Sequence, residues 1–485
     1  MTMLTPCQAF FSIFQRRTKR GLATFDLCVS LVAFVTSEFN RLNGSGCRTM
    51  RILTIGSGGR EHALVWALRK TSTRPLELFC APGNAGLAQE AECLPVSATN
   101  IPALVHLAEE KKVDLTIVGP EGPLALGIVD EFNRRGLRIV GPKSQAARLE
   151  SSKAFAKDFM LRHRVPTARH RIAESFEDAS AILESGAFGG KDTPVVVKAD
   201  GLAAGKGVII AASRAEAVSA VRELKSGDTV SAEAARRIVI EETLSGPEAS
   251  LLVFSDGKDF RLMPAARDHK RVGEGDTGPN TGGMGSITDA SVLDRAMLGR
   301  IVRGIVEPTL QGARDEGFPL RGVLFIGLML TADGPSVLEY NVRFGDPETQ
   351  AIMVRLQSDL AEVFEAISEG RLGALDVNWS EDPSACIVLA ARGYPAKPET
   401  GARIQGLDLA AQRDGAVVFH AATSRGAKGE WLTAGGREMS VTATGPTLDL
   451  ALSRCYQAVG DIRWDGLHYR RDIGQTPTRQ TSAIG

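Results

Sequence analysis

The stretch MRILTIGSGGREHALVWALRK, residues 50 to 70, admits few folds. Ile52, Leu53 and Ile55 form the near-continuous apolar run of a buried parallel strand, and Ala63, Leu64, Ala67 and Leu68 recur at helical spacing. Between them, Gly56, Ser57, Gly58 and Gly59 make a tight strand-to-helix turn. Such a turn points backbone N–H groups and the positive end of a helix outward, which suits an anion. A dinucleotide site would want a third glycine where Glu61 stands. It would also want an acid at the end of the next strand, where LELFCAPG has none. A phosphate group fits here; a nicotinamide dinucleotide does not. The strand of LTIVGPE, a helix over about 123–135 and the strand of LRIVG complete a small α/β domain spanning 50–151.

The 485 residues leave room for roughly two to four domains with full cores. Lys plus Arg and Asp plus Glu both number 57, so there is no general pull toward nucleic acid or an anionic membrane. Phosphate specificity must come from local sites. The seven cysteines are scattered, without C-x-x-C or a zinc-like pairing with histidine, as expected of reduced thiols in a cytoplasmic protein. Residues 1–49 carry RRTKR and the apolar run LCVSLVAFV, an imitation of a signal peptide that is too short to span a membrane and follows Asp26 directly. A disordered extension, or a start placed too early before Met50, is the expectation over a targeting role. No other segment could cross a membrane.

A second domain is expected over 152–360. SSKAFAKDFMLRHRVPTAR predicts a helix carrying Lys153 and Lys157 and stopping before Pro166. PVVVKADGLAAGKGVII then sets Gly201, Gly205 and Gly207 around Lys206, but no Ser or Thr follows the lysine and the turn enters a strand, so this is not a P-loop. The pattern predicts a flexible hairpin closing over nucleotide phosphates, with Lys198 and Lys206 supplying charge. RIVIEETLSGPEAS, a strand running into an acidic Gly-Pro turn, suits an adenine edge and ribose hydroxyls. Residues 263–286, MPAARDHKRVGEGDTGPNTGGMGS, are too polar for a core and too varied for a linker, and read as a long functional loop. In VLEYNVRFGDPETQ, Glu339, Asn341 and Arg343 alternate with Leu338, Tyr340 and Val342, which predicts two opposite strand faces. A carboxylate, an amide oxygen and a guanidinium on one face suit a metal-bound polyphosphate.

GSGGREHAL, VVVKADGLAAGKGV, DHKR, GPNTGGMG, LEYNVRFGDPETQ, GYP and YRRDIG, in that order, resemble the phosphoribosylamine–glycine ligases (glycinamide ribonucleotide synthetases) of the ATP-grasp superfamily. The resemblance runs from Met50 to about Gly474. It implies an α/β multidomain fold: an N-terminal parallel-sheet α/β domain, a central ATP-grasp fold with a mobile lid over about 166–240, and a small C-terminal mixed α+β domain over 376–475, followed by a tail at 476–485. It also implies a reaction in which ATP, glycine and 5-phosphoribosylamine give glycinamide ribonucleotide, ADP and phosphate through glycyl phosphate. The expected partners are those small molecules, and the protein is expected to work as a monomer. The chain ends soon after RRDIG, so a single activity is expected.

Glu339 and Asn341 then offer the two hard oxygens that Mg²⁺ (or Mn²⁺) accepts when phosphates and waters complete its shell. GVLFIGLML carries no further carboxylate, so no third protein ligand is assigned. Arg343 suits the transferring phosphoryl group or the acyl phosphate. The resemblance places Lys153 and Lys198 on nucleotide phosphates, Glu241 on the adenine side and Glu248 on the ribose side, with Gly205, Lys206 and Gly207 in the closing hairpin. Asp268, Lys270 and Asp346 are candidates for holding glycine and its acyl intermediate. Gly56, Ser57, Gly58 and Gly59 are candidates for the phosphate of phosphoribosylamine. Asp268 or a neighbour could take the proton of the attacking amine, whereas His62 and His269 are expected to be buried, hydrogen-bonded histidines. HAATS stands where the family has His-Ala-Gly-Thr, and loss of that glycine implies an altered turn. Two rival readings are another ATP-grasp carboxylate–amine ligase and a non-catalytic ATP-binding protein.

Overall fold

Five parallel strands open the fold: β1 (Met50–Gly56), β2 (Leu76–Pro82), β3 (Glu92–Cys93), β4 (Leu115–Val118) and β5 (Ile139–Val140), in the order β3-β2-β1-β4-β5. The arrangement comes from a computed structural model, which describes residues 48–203, 206–227 and 230–475. Most of the expected 1–49 extension, the 476–485 tail and Gly205 therefore lie outside the described residues. Ile52, Leu53 and Ile55 are fully buried, as their apolar run requires. Strand order reverses between β1 and β4, and the crevice beyond the carboxyl ends of such strands is where α/β sheets bind ligands. Gly56, at the end of β1, opens into that crevice. The helix expected over 123–135 is instead two, Glu121–Ala125 and Ile128–Arg134. Gly127 breaks it, with a left-handed φ of 85°. The break leaves Glu121 on a short helix at the mouth of the crevice.

The next unit is a four-stranded antiparallel sheet of β6 (His170–Ala173), β7 (Val195–Ala199), β8 (Val208–Ala211) and β9 (Ile238–Glu242), ordered β6-β9-β7-β8. Val195, Val197, Ile240, Leu183 and Leu224 belong to a core of its own, closed by the helices Phe176–Glu184 and Arg214–Ser226. A separate core is what lets such a sheet move as a body.

The largest sheet is antiparallel throughout. Its order is β17 (Gly334–Asn341), β16 (Arg321–Thr331), β10 (Glu248–Asp256), β12 (Ala266–Asp268), β15 (Gly285–Thr288), β18 (Ser384–Ala390), β23 (Arg437–Thr444) and β20 (Ala416–His420), with β11 (Phe260–Leu262) also paired to β10. Residues 263–286 are thus not a structureless loop. Ala266 and Ile287 are core residues, so β12 and β15 run through the middle of this sheet. The hairpin β13 (Arg271–Gly273) and β14 (Thr277–Asn280) projects between them. A small sheet of β19 (Arg403–Ile404), β22 (Trp431–Thr433) and β21 (Thr423–Arg425) follows. The helix Leu448–Asp461 packs on β18 and β23.

The simple two-residue alternation fails in β17. A β-bulge between Gly327 and Leu328 pairs Gly327 with Glu339 and Leu328 with Val337, so Leu338 is the extra residue. Val337, not Leu338, shares the core with Tyr340 and Val342. The strand also ends at Asn341, so Arg343 lies beyond it. The HAATS turn carries Ala422 without left-handed strain. Among the described residues only Lys112, Arg164 and Asp276 have a positive φ without being glycine, so Ala422 sits in ordinary backbone space.

Candidate active site

The bulge places Glu339 among cations. Burial opposes its charge, but Lys270, Lys198, Lys153 and Arg343 outweigh burial and hold its carboxyl below the usual range. Each cation comes from a different element. Lys153 starts the helix Lys153–Arg162, where Ser152 caps Phe155 N–H and Asp200 Oδ1 accepts Ala154 N–H at 2.8 Å. Its Nζ donates to Gly201 O at 3.0 Å. Lys198 lies on β7 and donates to the bulge carbonyl of Leu338 at 3.2 Å. Lys270 follows β12 and pairs with Glu248 at 2.7 Å. Burial opposes its charge as well, but Asp268, Glu248 and Glu339 raise its pKa well above the usual value.

Glu241 sits elsewhere than a ligand-facing acid would. It is 2 % exposed, with Lys198 Nζ 2.9 Å from Oε1 and Lys157 Nζ 3.0 Å from Oε2. Lys157 was not assigned a role from sequence; burial pushes its pKa down to about 8, against the attraction of Glu241. Lys206 is exposed at the β7–β8 turn and Gly207 is buried beside it, where an added Cβ would meet that of Ala203 at 2.6 Å.

Arg343 is held by acids. Its Nη2 donates to Asn341 Oδ1 at 3.2 Å, and its Nε lies 3.2 Å from Glu150 Oε1 and 3.3 Å from Glu121 Oε2. Glu150 Oε2 also accepts Val342 N–H at 2.8 Å, fixing the chain just before the arginine. Glu348 is a third acid, after Glu150 and Glu121, unassigned from sequence. It is buried at the start of the helix Glu348–Met353, and its Oε1 accepts Ser250 Oγ–H at 3.4 Å. Burial and then the neighbouring Asp268 push its carboxyl up to about 7, while Arg343 and Lys270 act against this. Burial likewise raises Asp268. Asp346 differs: Arg437 and Arg60 overcome its burial and lower its pKa. Arg437 Nη2 lies 3.2 Å from Asp346 Oδ2, and its Nη1 donates to Gly282 O at 2.6 Å.

The glycine turn is partly filled by the protein's own acid. Glu61 Oε2 accepts Gly58 N–H at 2.6 Å, and an added Cβ at Gly56 would lie 2.6 Å from the Glu61 side chain. Asn84 Nδ2 donates to Ser57 O at 2.8 Å. An anion must therefore approach beside Glu61, where Arg60 supplies the charge. Arg60 Nε donates to Glu61 Oε1 at 2.6 Å and its Nη1 to Phe344 O at 3.2 Å. His62 is buried and its Nδ1 accepts His420 N–H at 2.9 Å; His269 is buried with its pKa lowered to about 4 by burial and by Arg470 and Arg267. Both are buried and hydrogen-bonded, as expected.

Glu339, Asn341 and Arg343 are thus brought together with Lys153, Lys198, Asp268, Lys270 and Glu248. The turn at 56–59 reaches them through Arg60 and Glu121. Arg60, Glu121, Glu150, Lys157, Glu348 and Arg437 escaped sequence reasoning. Only Glu150 left a local signal, an acid beside Ala146, Ala147 and Leu149 on the buried face of its helix.

Three family descriptions match in chain order: the phosphoribosylglycinamide synthetase N domain over residues 50–150, its ATP-grasp (A) domain over 151–349 and its C domain over 384–476. A phosphoribosylamine–glycine ligase of Xanthomonas axonopodis is 49% identical over 428 residues, 88% of this chain and 97% of that protein. A crystal structure of the ligase of the same name from Thermotoga maritima superposes with a TM-score of 0.75 at 32% identity, covering 87% of this chain and all of that one. A biotin carboxylase from Campylobacter jejuni shares only the fold, with a TM-score of 0.64 at 15% identity over 87% of this chain and 93% of that one. With its three domains matched in chain order and a relative 49% identical over 88% of its length, the chain belongs to the phosphoribosylglycinamide synthetase family.

Proposed function

We propose that the protein is an ATP-dependent ligase joining glycine to 5-phosphoribosylamine, with glycinamide ribonucleotide, ADP and phosphate as products. The observation that carries this is Glu339 and Asn341 at the end of β17, faced by Lys153, Lys198, Lys270 and Arg343 from separate elements. Residues 50–151 serve the substrate phosphate, 152–360 form the ATP-grasp unit with its lid over about 166–240, and 376–475 close the cleft. Balanced charge supports small-molecule substrates without nucleic acid or membrane. Among the described residues no helix is long and apolar enough to cross a membrane. We take the enzyme to act as a cytoplasmic monomer.

A carboxylate acylates poorly because its leaving group would be oxide. In the proposed route a glycine carboxylate oxygen attacks the γ-phosphorus and ADP leaves. The amine of phosphoribosylamine then attacks the acyl carbon, phosphate departs with the transferred oxygen, and the nitrogen loses a proton. Among the described residues no group of three or more His, Cys, Asp or Glu forms a metal cage. Two hard oxygens, from Glu339 and Asn341, fit a Mg²⁺ (or Mn²⁺) whose other ligands are phosphates and waters. That ion would offset charge on the polyphosphate. Lys153 and Lys198 hold nucleotide phosphates, with Glu248 toward the ribose. Arg343 holds the acyl phosphate by a forked contact. Asp268, Lys270 and Asp346 hold glycine. Glu241 positions Lys198, and Gly205, Lys206 and Gly207 close the hairpin.

The test is ADP release with Mg²⁺, ATP and glycine, with and without freshly generated phosphoribosylamine, alongside the ribonucleotide product. ADP and product formed one for one, and only with both partners, is the expected result. ADP release indifferent to phosphoribosylamine would mean a ligase of other specificity, and no ADP a binding protein. The Glu348 carboxyl gives a pH signature. It is raised to about 7, so it is protonated below that and can accept a proton above it. The expected kcat/KM for the amine rises with pH through about 7. Glu348→Gln should flatten that limb, and a limb unchanged in the variant would remove Glu348 from the chemistry.

A further inference from the structure

One carboxylate oxygen stands between the two halves of the site. Glu121 Oε2 lies 3.3 Å from Arg343 Nε and 3.6 Å from Arg60 Nη2. Arg60 flanks the glycine turn, and Arg343 borders the cationic ring. Although Arg343 Nε is within ion-pair range of both Glu121 and Glu150, it is a buried N–H with no aligned hydrogen bond. A buried donor in that condition is a poised one, because alignment with either acid would gain a charge-assisted bond. Arg60 also donates to the carbonyl of Phe344, next to Arg343 in the chain.

We propose that Glu121 is a positioning residue that couples occupation of the glycine turn by the amine substrate's phosphate to the orientation of Arg343 at the acyl phosphate. The inference rests on the ligase reading above. A phosphate dianion beside the turn draws Arg60 toward itself and off the shared oxygen. Glu121 is then left to Arg343, which it fixes together with Glu150. With the turn empty, Glu121 is divided between two cations and Arg343 is less firmly aimed. The acyl phosphate is therefore gripped best when its nucleophile is present, which limits its loss to water.

Glu121→Gln keeps the size and removes the charge. The experiment measures ADP and glycinamide ribonucleotide separately, with the full chain, Mg²⁺, ATP, glycine and a range of phosphoribosylamine concentrations. The expected variant has a KM for ATP within about twofold of wild type, a KM for the amine raised by about tenfold, and product per ADP below one. Glu121→Asp, one methylene short but charged, should recover part of the ratio. A Glu121→Gln protein with product per ADP of one and an unchanged amine KM overturns the inference, even if kcat or thermal stability falls, because a structural loss alone would not alter coupling. Wild-type protein that makes no glycinamide ribonucleotide overturns the ligase reading and the inference with it. A productive wild type beside an unaltered variant overturns the inference alone.

Discussion

Glu339→Ala is expected to lower kcat/KM by about a thousandfold or more. Four cationic side chains, Lys153, Lys198, Lys270 and Arg343, lower the pKa of this carboxylate. Its removal takes away a hard oxygen ligand and leaves those cations facing one another across the nucleotide site. Nucleotide without metal should then bind as readily as before, or better, because the negative charge near the polyphosphate has gone. The metal dependence should shift to much higher Mg²⁺ concentration. Initial rates over a MgCl₂ series, with nucleotide affinity measured with and without metal, separate the two effects. A variant that keeps its rate within about tenfold and its metal dependence unaltered would exclude Glu339 as a ligand.

Glu241→Ala is expected to act on stability first. The side chain is 2 % exposed and sits between Lys157 and Lys198, whose ammonium groups lie 3.0 and 2.9 Å from its oxygens. Removing one partner from a buried ion pair strands the other charge, typically at a cost of about 3–5 kcal/mol. Here two cations are stranded at once. One of them already has its pKa pushed down to about 8, so neutral Lys157 should become accessible near physiological pH in the variant. The check is the unfolding midpoint in urea, followed by circular dichroism at pH 7 and pH 9. Destabilisation should be larger at pH 7, where wild-type Lys157 is mostly charged and gains from Glu241, and smaller at pH 9, where it is mostly neutral even in the wild type. An unchanged midpoint with a raised KM for ATP would instead place Glu241 against the adenine.

These two residues also show what the sequence could disclose. Glu339 stood out in the sequence because it alternates with apolar Leu338, Tyr340 and Val342 alongside Asn341 and Arg343, and no packing need explains such a trio. The strand-turn-helix at Met50 was legible for a similar reason, since buried parallel strands are continuous apolar runs. Glu241 was read as an acid toward the adenine because the lysines that enclose it come from β7 and from the helix Lys153–Arg162, and their meeting is a property of the fold. Glu121, Glu150 and Arg437 were hidden likewise: their partner Arg343 or Asp346 lies far along the chain. The face assignment of Leu338 failed where a single inserted residue reset a period of two. The long polar stretch 263–286 failed as a loop because β12 within it is three residues long with one apolar core residue, Ala266, and only the first two residues of β15 fall inside it, too little to register as a strand pattern.

The continuity of the large sheet has a consequence for how this chain can be divided. β15 pairs with β18 from Gly285–Ile387 to Thr288–Ser384, so the family's boundary between ATP-grasp and C-terminal regions crosses an uninterrupted ladder. Separating the regions there would strip each of a neighbour and leave two rows of unsatisfied N–H and C=O groups, both templates for mispairing. Cleavage of the connecting peptide is a different matter, because the β15–β18 ladder would still clasp the pieces. The border between these regions is genetic rather than mechanical, and shuffling of C-terminal regions among relatives must preserve a strand edge as well as a cleft.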